Sequence, residues 1–120
     1  MIYEEEADYI MRMIKEMARV LFSLMLGKKY TQVELPKENK FSVSGKGLED
    51  FTGLVDQGKI NEAENMLLES IDYKNREELA AAILFYEYAS EKGEEFLREH
   101  GYSLEEAAEG MKQIGEQAGY

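Results

Sequence analysis

The chain has 120 residues, no cysteine, 25 acidic and 14 basic residues, for a net charge of −11. That length suits one domain, 1–120, with a modest core. The missing cysteines exclude a disulfide framework and a thiolate metal site. The charge is uneven: residues 1–60 are net −1 and residues 61–120 net −10, whereas 12–46 alone are net +5. Such an acidic second half argues against nucleic-acid binding by the whole domain and leaves open a local basic strip.

The first element is the most legible. Tyr3, Ala7, Ile10, Ile14, Met17, Leu21 and Leu24 step by four and three, which lays one apolar seam along a helix over Ile2–Leu26. Met11, Ala18, Phe22 and Met25 widen it. Acids crowd the first turns, Lys28 and Lys29 follow the end, and Gly27 suits a C-terminal cap. A face this long requires a cover, and Ile10, Ile14, Met17, Leu21 and Leu24 are the expected interface of a homodimer. Helices later in the chain are the competing cover. The opening Glu4, Glu5 and Glu6 do not resemble a signal peptide. The longest apolar stretch, Met17–Leu26, is interrupted by Arg19 and falls below the roughly 18–20 residues that span a bilayer. A soluble, cytoplasmic chain without a membrane segment is expected.

Residues 28–47 form a lysine-rich connector. Val33 and Leu35, and then Phe41 and Val43, alternate as strands do, with Pro36-Lys-Glu-Asn-Lys40 as the turn between them. A two-stranded hairpin is marginal alone, so a hairpin and an ordered loop both stay open. Lys28, Lys29, Tyr30, Lys37, Lys40, Phe41 and Lys46 mix cations with aromatics, as single-strand binders do. A nucleic-acid-associated regulator using 28–46 is therefore the alternative function. A solvated loop is the simpler account.

Helical hairpins are expected over 48–120. Leu48–Gln57 carries Leu48, Phe51, Leu54 and Val55, and Gly58 stops it. A third helix from about Asn61 carries Ala63, Met66, Leu67 and Ile71. Asp72–Asn75 turn. Glu77–Ser90 is apolar around most of its circumference, which predicts a central helix. Glu94–Glu99 is short. Ser103 and Glu106 match a capping box for the last helix, with Leu104, Ala107, Ala108, Met111 and Ile114. Gly110 and Gly115 cost that helix about 1 kcal/mol each relative to Ala unless they serve close packing.

No catalytic, cofactor or metal motif stands out, and the chain reads as non-enzymatic. His100 is the single histidine and sits where a side chain satisfies helix-end carbonyls. A di-metal bundle needs a Glu-x-x-His pair on each of two helices, which one histidine cannot supply. Glu87, Glu91, Glu94 and Glu95 could approach a divalent cation on one helical edge, and a solvated acidic face is the favoured reading. Gly45-Lys-Gly47 is too short for a phosphate loop.

Gly58-Lys-Ile-Asn-Glu-Ala63 with Leu67 resembles the second half of a tetratricopeptide repeat, and Gly101-Tyr-Ser-Leu-Glu-Glu-Ala107 echoes it. Phe51 departs from the small residue that the motif wants, and no proline follows Ile71. Arrays need about three units, so an ordinary helical hairpin is the favoured reading. Met1-Ile-Tyr-Glu-Glu-Glu, Tyr9-Ile-Met-Arg-Met-Ile-Lys-Glu-Met and Leu24-Met-Leu-Gly-Lys29 resemble the opening of a family of small uncharacterised bacterial helical proteins. Ile60-Asn-Glu-Ala-Glu-Asn-Met-Leu-Leu-Glu69 and Leu84-Phe-Tyr-Glu-Tyr88 resemble it too. The resemblance implies a structural family with no assigned activity, cofactor or site residue. The expectation is an all-α fold, with a long N-terminal helix (1–27), the connector (28–47) and tetratricopeptide-like antiparallel hairpins (48–120). The expected role is a protein–protein interaction module that self-associates through its first helix.

Overall fold

A computed structural model describes residues 2–27 and 42–120, with side chains from Glu6 onward. Six helices and one small antiparallel sheet follow each other: α1 Ile2–Leu26, β1 Ser42–Val43, β2 Lys46–Gly47, α2 Leu48–Asp56, α3 Ile60–Ser70, α4 Arg76–Glu91, α5 Glu94–Glu99 and α6 Leu104–Gln117. The fold is mostly helical, and α1 has the bounds that the four-three pattern gives.

The connector differs from its expectation where it is described. Ser42 pairs with Gly47 and Val43 with Lys46, so the hairpin runs forward from Val43 around Ser44 and Gly45. Both turn residues have positive φ, 50° and 83°, the geometry of a two-residue turn whose twist matches that of its strands. The expected partner strand, Tyr30–Leu35, and the turn at 36–40 lie outside the described residues. Ser44 Oγ donates to the Ser70 carbonyl at 2.8 Å, which fastens the hairpin to the end of α3.

α4 is the central helix. Leu79 through Tyr86 are all buried, and Ala89 and Ser90 with them. It packs on α1, α2 and α6 and touches β1 and α5. Asn75 caps it: its Oδ1 accepts from the backbone N–H groups of Glu77 and Glu78 at 2.9 and 3.2 Å, which satisfies two donors that a helix start leaves free. Ser103 does the same for α6 through Glu106 N–H at 3.1 Å. α1 lies across both α4 and α6, while α2 packs on α3. The main layer, α1–α4–α6, thus joins helices far apart in sequence.

The two glycines of α6 sit at its closest approaches. A Cβ at Gly110 would overlap Cε1 and Cζ of the Tyr86 ring, and one at Gly115 would fall 2.8 Å from Cδ2 of Leu21. Tyr86 is 1% exposed and held at its hydroxyl, so its ring has no room to retreat. Helix propensity alone favours Gly110→Ala by about 1 kcal/mol. Overpacking opposes it by about 1–3 kcal/mol. We expect Gly110→Ala to lower stability in urea unfolding by about 1–2 kcal/mol. Gly115→Ala should stay close to wild type, because only a Leu21 methyl must turn aside.

Candidate functional site

At 100° per residue, the side chains of α1 divide into two faces. Ile14, Ala18, Leu21, Phe22 and Met25 are buried against the rest of the chain. Tyr9, Met13, Val20 and Leu24 are 64%, 37%, 45% and 52% exposed. These four fall within an arc of about 60°, centred roughly 130° from the buried face. Ile10 and Met17 are half-buried and join the two faces.

The five residues of the sequence-derived seam are therefore split. Ile14 and Leu21 belong to the core of this chain, Ile10 and Met17 line its edge, and Leu24 is exposed. The exposed stripe of α1 consists of Tyr9, Met13, Val20 and Leu24, with the half-buried Ile10 and Met17 beside them. Ile14 and Leu21 can take no part in it without opening the core. Arg12, Arg19 and Glu16 are exposed on one flank of the stripe. Lys15 turns toward α4, where its Nζ is 3.6 Å from Glu91 Oε1. Sequence periodicity missed Tyr9, Met13 and Val20 because apolar residues cover more than half of the circumference, and period alone does not say which part turns inward.

The polar clusters elsewhere are directed at the fold. Glu64 Oε2 accepts from Tyr86 Oη at 2.8 Å and from Tyr102 Oη at 3.0 Å, joining α3, α4 and the turn before α6. Burial beside that carboxylate pushes both phenols far up, so they stay protonated donors. Asp56 at the end of α2 accepts from Tyr88 Oη at 2.6 Å and pairs with Lys92 Nζ. These contacts, with Lys92 first, hold its carboxyl below the usual range. Lys92 also lies over the rings of Tyr88 and Phe96, 5.1 and 5.6 Å from their centroids. His100 serves the role that its place beside a helix end suggests. Its Nδ1 is 2.8 Å from the Phe96 carbonyl, an acceptor only, so Nδ1 carries the proton. The ring covers Gly58, where a Cβ would overlap His100 Cδ2. Asn61 Nδ2 donates to the Gly101 carbonyl at 3.1 Å, so the two glycine turns that share the tetratricopeptide-like pattern are tied to each other.

The acidic edge of α4 and α5 does not converge. Glu87 meets Glu91, while Glu94 pairs with Arg98 at 2.6 Å. Among the described residues, no three His, Asp or Glu side chains stand where they could share a metal ion. Of the cation–aromatic set in the connector, only Lys46 is described, exposed on β2. No helix among the described residues is long and apolar enough to cross a membrane.

A family model described as a family of unknown function, DUF6483, matches residues 4–119. The chain belongs to this family. Searches of the curated proteins and of the solved structures return no match. The DUF6483 match spans α1 to the end of α6, so the outer stripe and the polar ties all lie within the family region.

Glu87 supplies a pH dependence. Burial, then a hydrogen bond to Glu91 and its charge, push the Glu87 carboxyl from 4.5 up to about 7, against the pull of Lys15. The unfolded chain loses this proton near 4.5 and the folded chain near 7. Between those values the native state binds more protons, so stability falls as pH rises. Glu87→Gln removes the titration. Urea unfolding of the variant should match wild type near pH 4 and exceed it at about pH 8 by on the order of 1 kcal/mol, a figure reduced for partial solvent exposure.

Proposed function

We propose that the protein is a non-enzymatic, cytoplasmic protein–protein interaction module that self-associates through the outer face of α1. One observation carries this reading: four large apolar side chains, Tyr9, Met13, Val20 and Leu24, line up in water along 16 residues of one helix. Scattered exposed apolar residues are ordinary, but an aligned stripe rimmed by charge marks an interaction face. The rest of the molecule supports it, since Glu64, Asp56, Lys92 and His100 are engaged within the chain. The tetratricopeptide-like turn at Gly58–Ala63 agrees with an interaction role, and we place it in the same module as a structural hairpin.

A second copy is the occupant to which we commit. Fully burying a large apolar side chain stabilises by about 1.5–3 kcal/mol. Eight half-buried side chains across two copies then offer on the order of 8 kcal/mol. The loss of rotational and translational freedom on association, about 4 kcal/mol or more, offsets a large part. The difference, about 4 kcal/mol, corresponds to an affinity near the millimolar range.

Sedimentation velocity from about 50 micromolar to about 2 millimolar should show a monomer–dimer equilibrium in that range. The double variant Val20→Glu/Leu24→Glu should stay monomeric with an unchanged far-ultraviolet circular dichroism spectrum, because both positions are exposed. A wild-type chain that sediments as a monomer at every concentration overturns the proposal.

A further inference from the structure

We infer that the two copies pair with their α1 helices antiparallel, related by a two-fold axis that passes between Glu16 and Met17. The inference rests on the self-association reading and specifies its geometry. It starts from register. The four apolar residues of the exposed stripe sit at 9, 13, 20 and 24, symmetric about that midpoint. Leu26, the fifth exposed apolar residue of α1, lies about 130° round the helix from the stripe. In an antiparallel pair, Tyr9 of one copy comes level with the partner's Leu24, and Met13 with the partner's Val20. Every apolar residue of the stripe then meets another, as a closed two-fold contact requires.

Register alone also permits a parallel pair, in which each residue meets its own copy. Charge decides between them. Residues 2–8 carry Glu4, Glu5, Glu6 and Asp8 with no base. A parallel pair sets these four acids beside the same four of the partner, eight negative charges within two turns. An antiparallel pair moves the two clusters about 32 Å apart along the axis, at 1.5 Å per residue. That exceeds the roughly 8 Å screening length at physiological salt. Helix dipoles also oppose each other in this arrangement.

The absence of cysteine makes the test direct. Tyr9→Cys and Leu24→Cys are exposed single substitutions that leave the core intact. In the antiparallel pair, two copies of the Tyr9→Cys variant hold their thiols about 22 Å apart along the axis, far beyond disulfide reach. A Tyr9→Cys copy paired with a Leu24→Cys copy instead brings the two thiols level across the helix pair, within reach. The two variants, one carrying a mass tag, are mixed above the dissociation constant, oxidised with glutathione and resolved by mass. We expect the mixed disulfide to exceed either self-disulfide by on the order of tenfold. Predominant self-disulfides of Tyr9→Cys, in a chain that sediments as a dimer, overturn the antiparallel arrangement and leave self-association through α1 standing. A dimer in which no combination cross-links overturns both, because its interface lies elsewhere. A monomer at all concentrations also overturns both, and points to another segment or a different protein as the cover of this face.

Discussion

Tyr86 sets the spacing of the molecule. Its ring lies against the backbone of Gly110, and this fixes how near α6 comes to α4. Its hydroxyl reaches Glu64, which fixes where α3 stands. α1 then fills the groove between α4 and α6, with Leu21 closing on Gly115. A buried phenol requires a hydrogen-bond partner for its hydroxyl. Supplying that partner from α3 joins the α2–α3 pair to the three-helix layer by a directional contact. Apolar packing alone would leave that angle less well defined, since hydrophobic contact has no preferred direction.

How much of this could be read from the residues alone follows from the range of each interaction. Helix ends depend on neighbours within a few positions, so the Ser103–Glu106 cap, the Gly27 stop and the Ile2–Leu26 span were legible. The central place of α4 was legible as well, because a helix that is apolar all round has nowhere else to be. The described hairpin was not, since two-residue strands are too short to show a period. Its Ser44-Gly45 turn was the available signal. The tie from Glu64 to Tyr86 and Tyr102 spans 22 and 38 positions, and nothing local announces it. The division of α1 into an inner and an outer face depended on which side α6 covers, a tertiary fact.

The candidate site is defined by contrast. Polar groups of the kinds that carry chemistry are occupied in holding turns and helix ends together: His100 serves a carbonyl, Lys92 a carboxylate and two rings, Asn61 a neighbouring turn. The outer face of α1 has the opposite character, apolar and turned to water. Family membership extends over the whole described fold and adds no assigned chemistry. The proposed role in association rests on what the surface offers, and its proposed geometry on where the acids of α1 stand.

The way α1 is attached has a thermal consequence. It meets α4 and α6 through Ile14, Ala18, Leu21, Phe22 and Met25, and the Lys15–Glu91 pair beside them is exposed. α3, α4 and the turn before α6 share hydrogen bonds to one carboxylate. Burial of apolar surface is driven largely by entropy near room temperature and weakens on cooling. A contact between a carboxylate and a hydroxyl has no such dependence on apolar hydration. Chilling the protein therefore weakens the apolar seat of α1, while the contacts that Glu64 makes to Tyr86 and Tyr102 keep their strength.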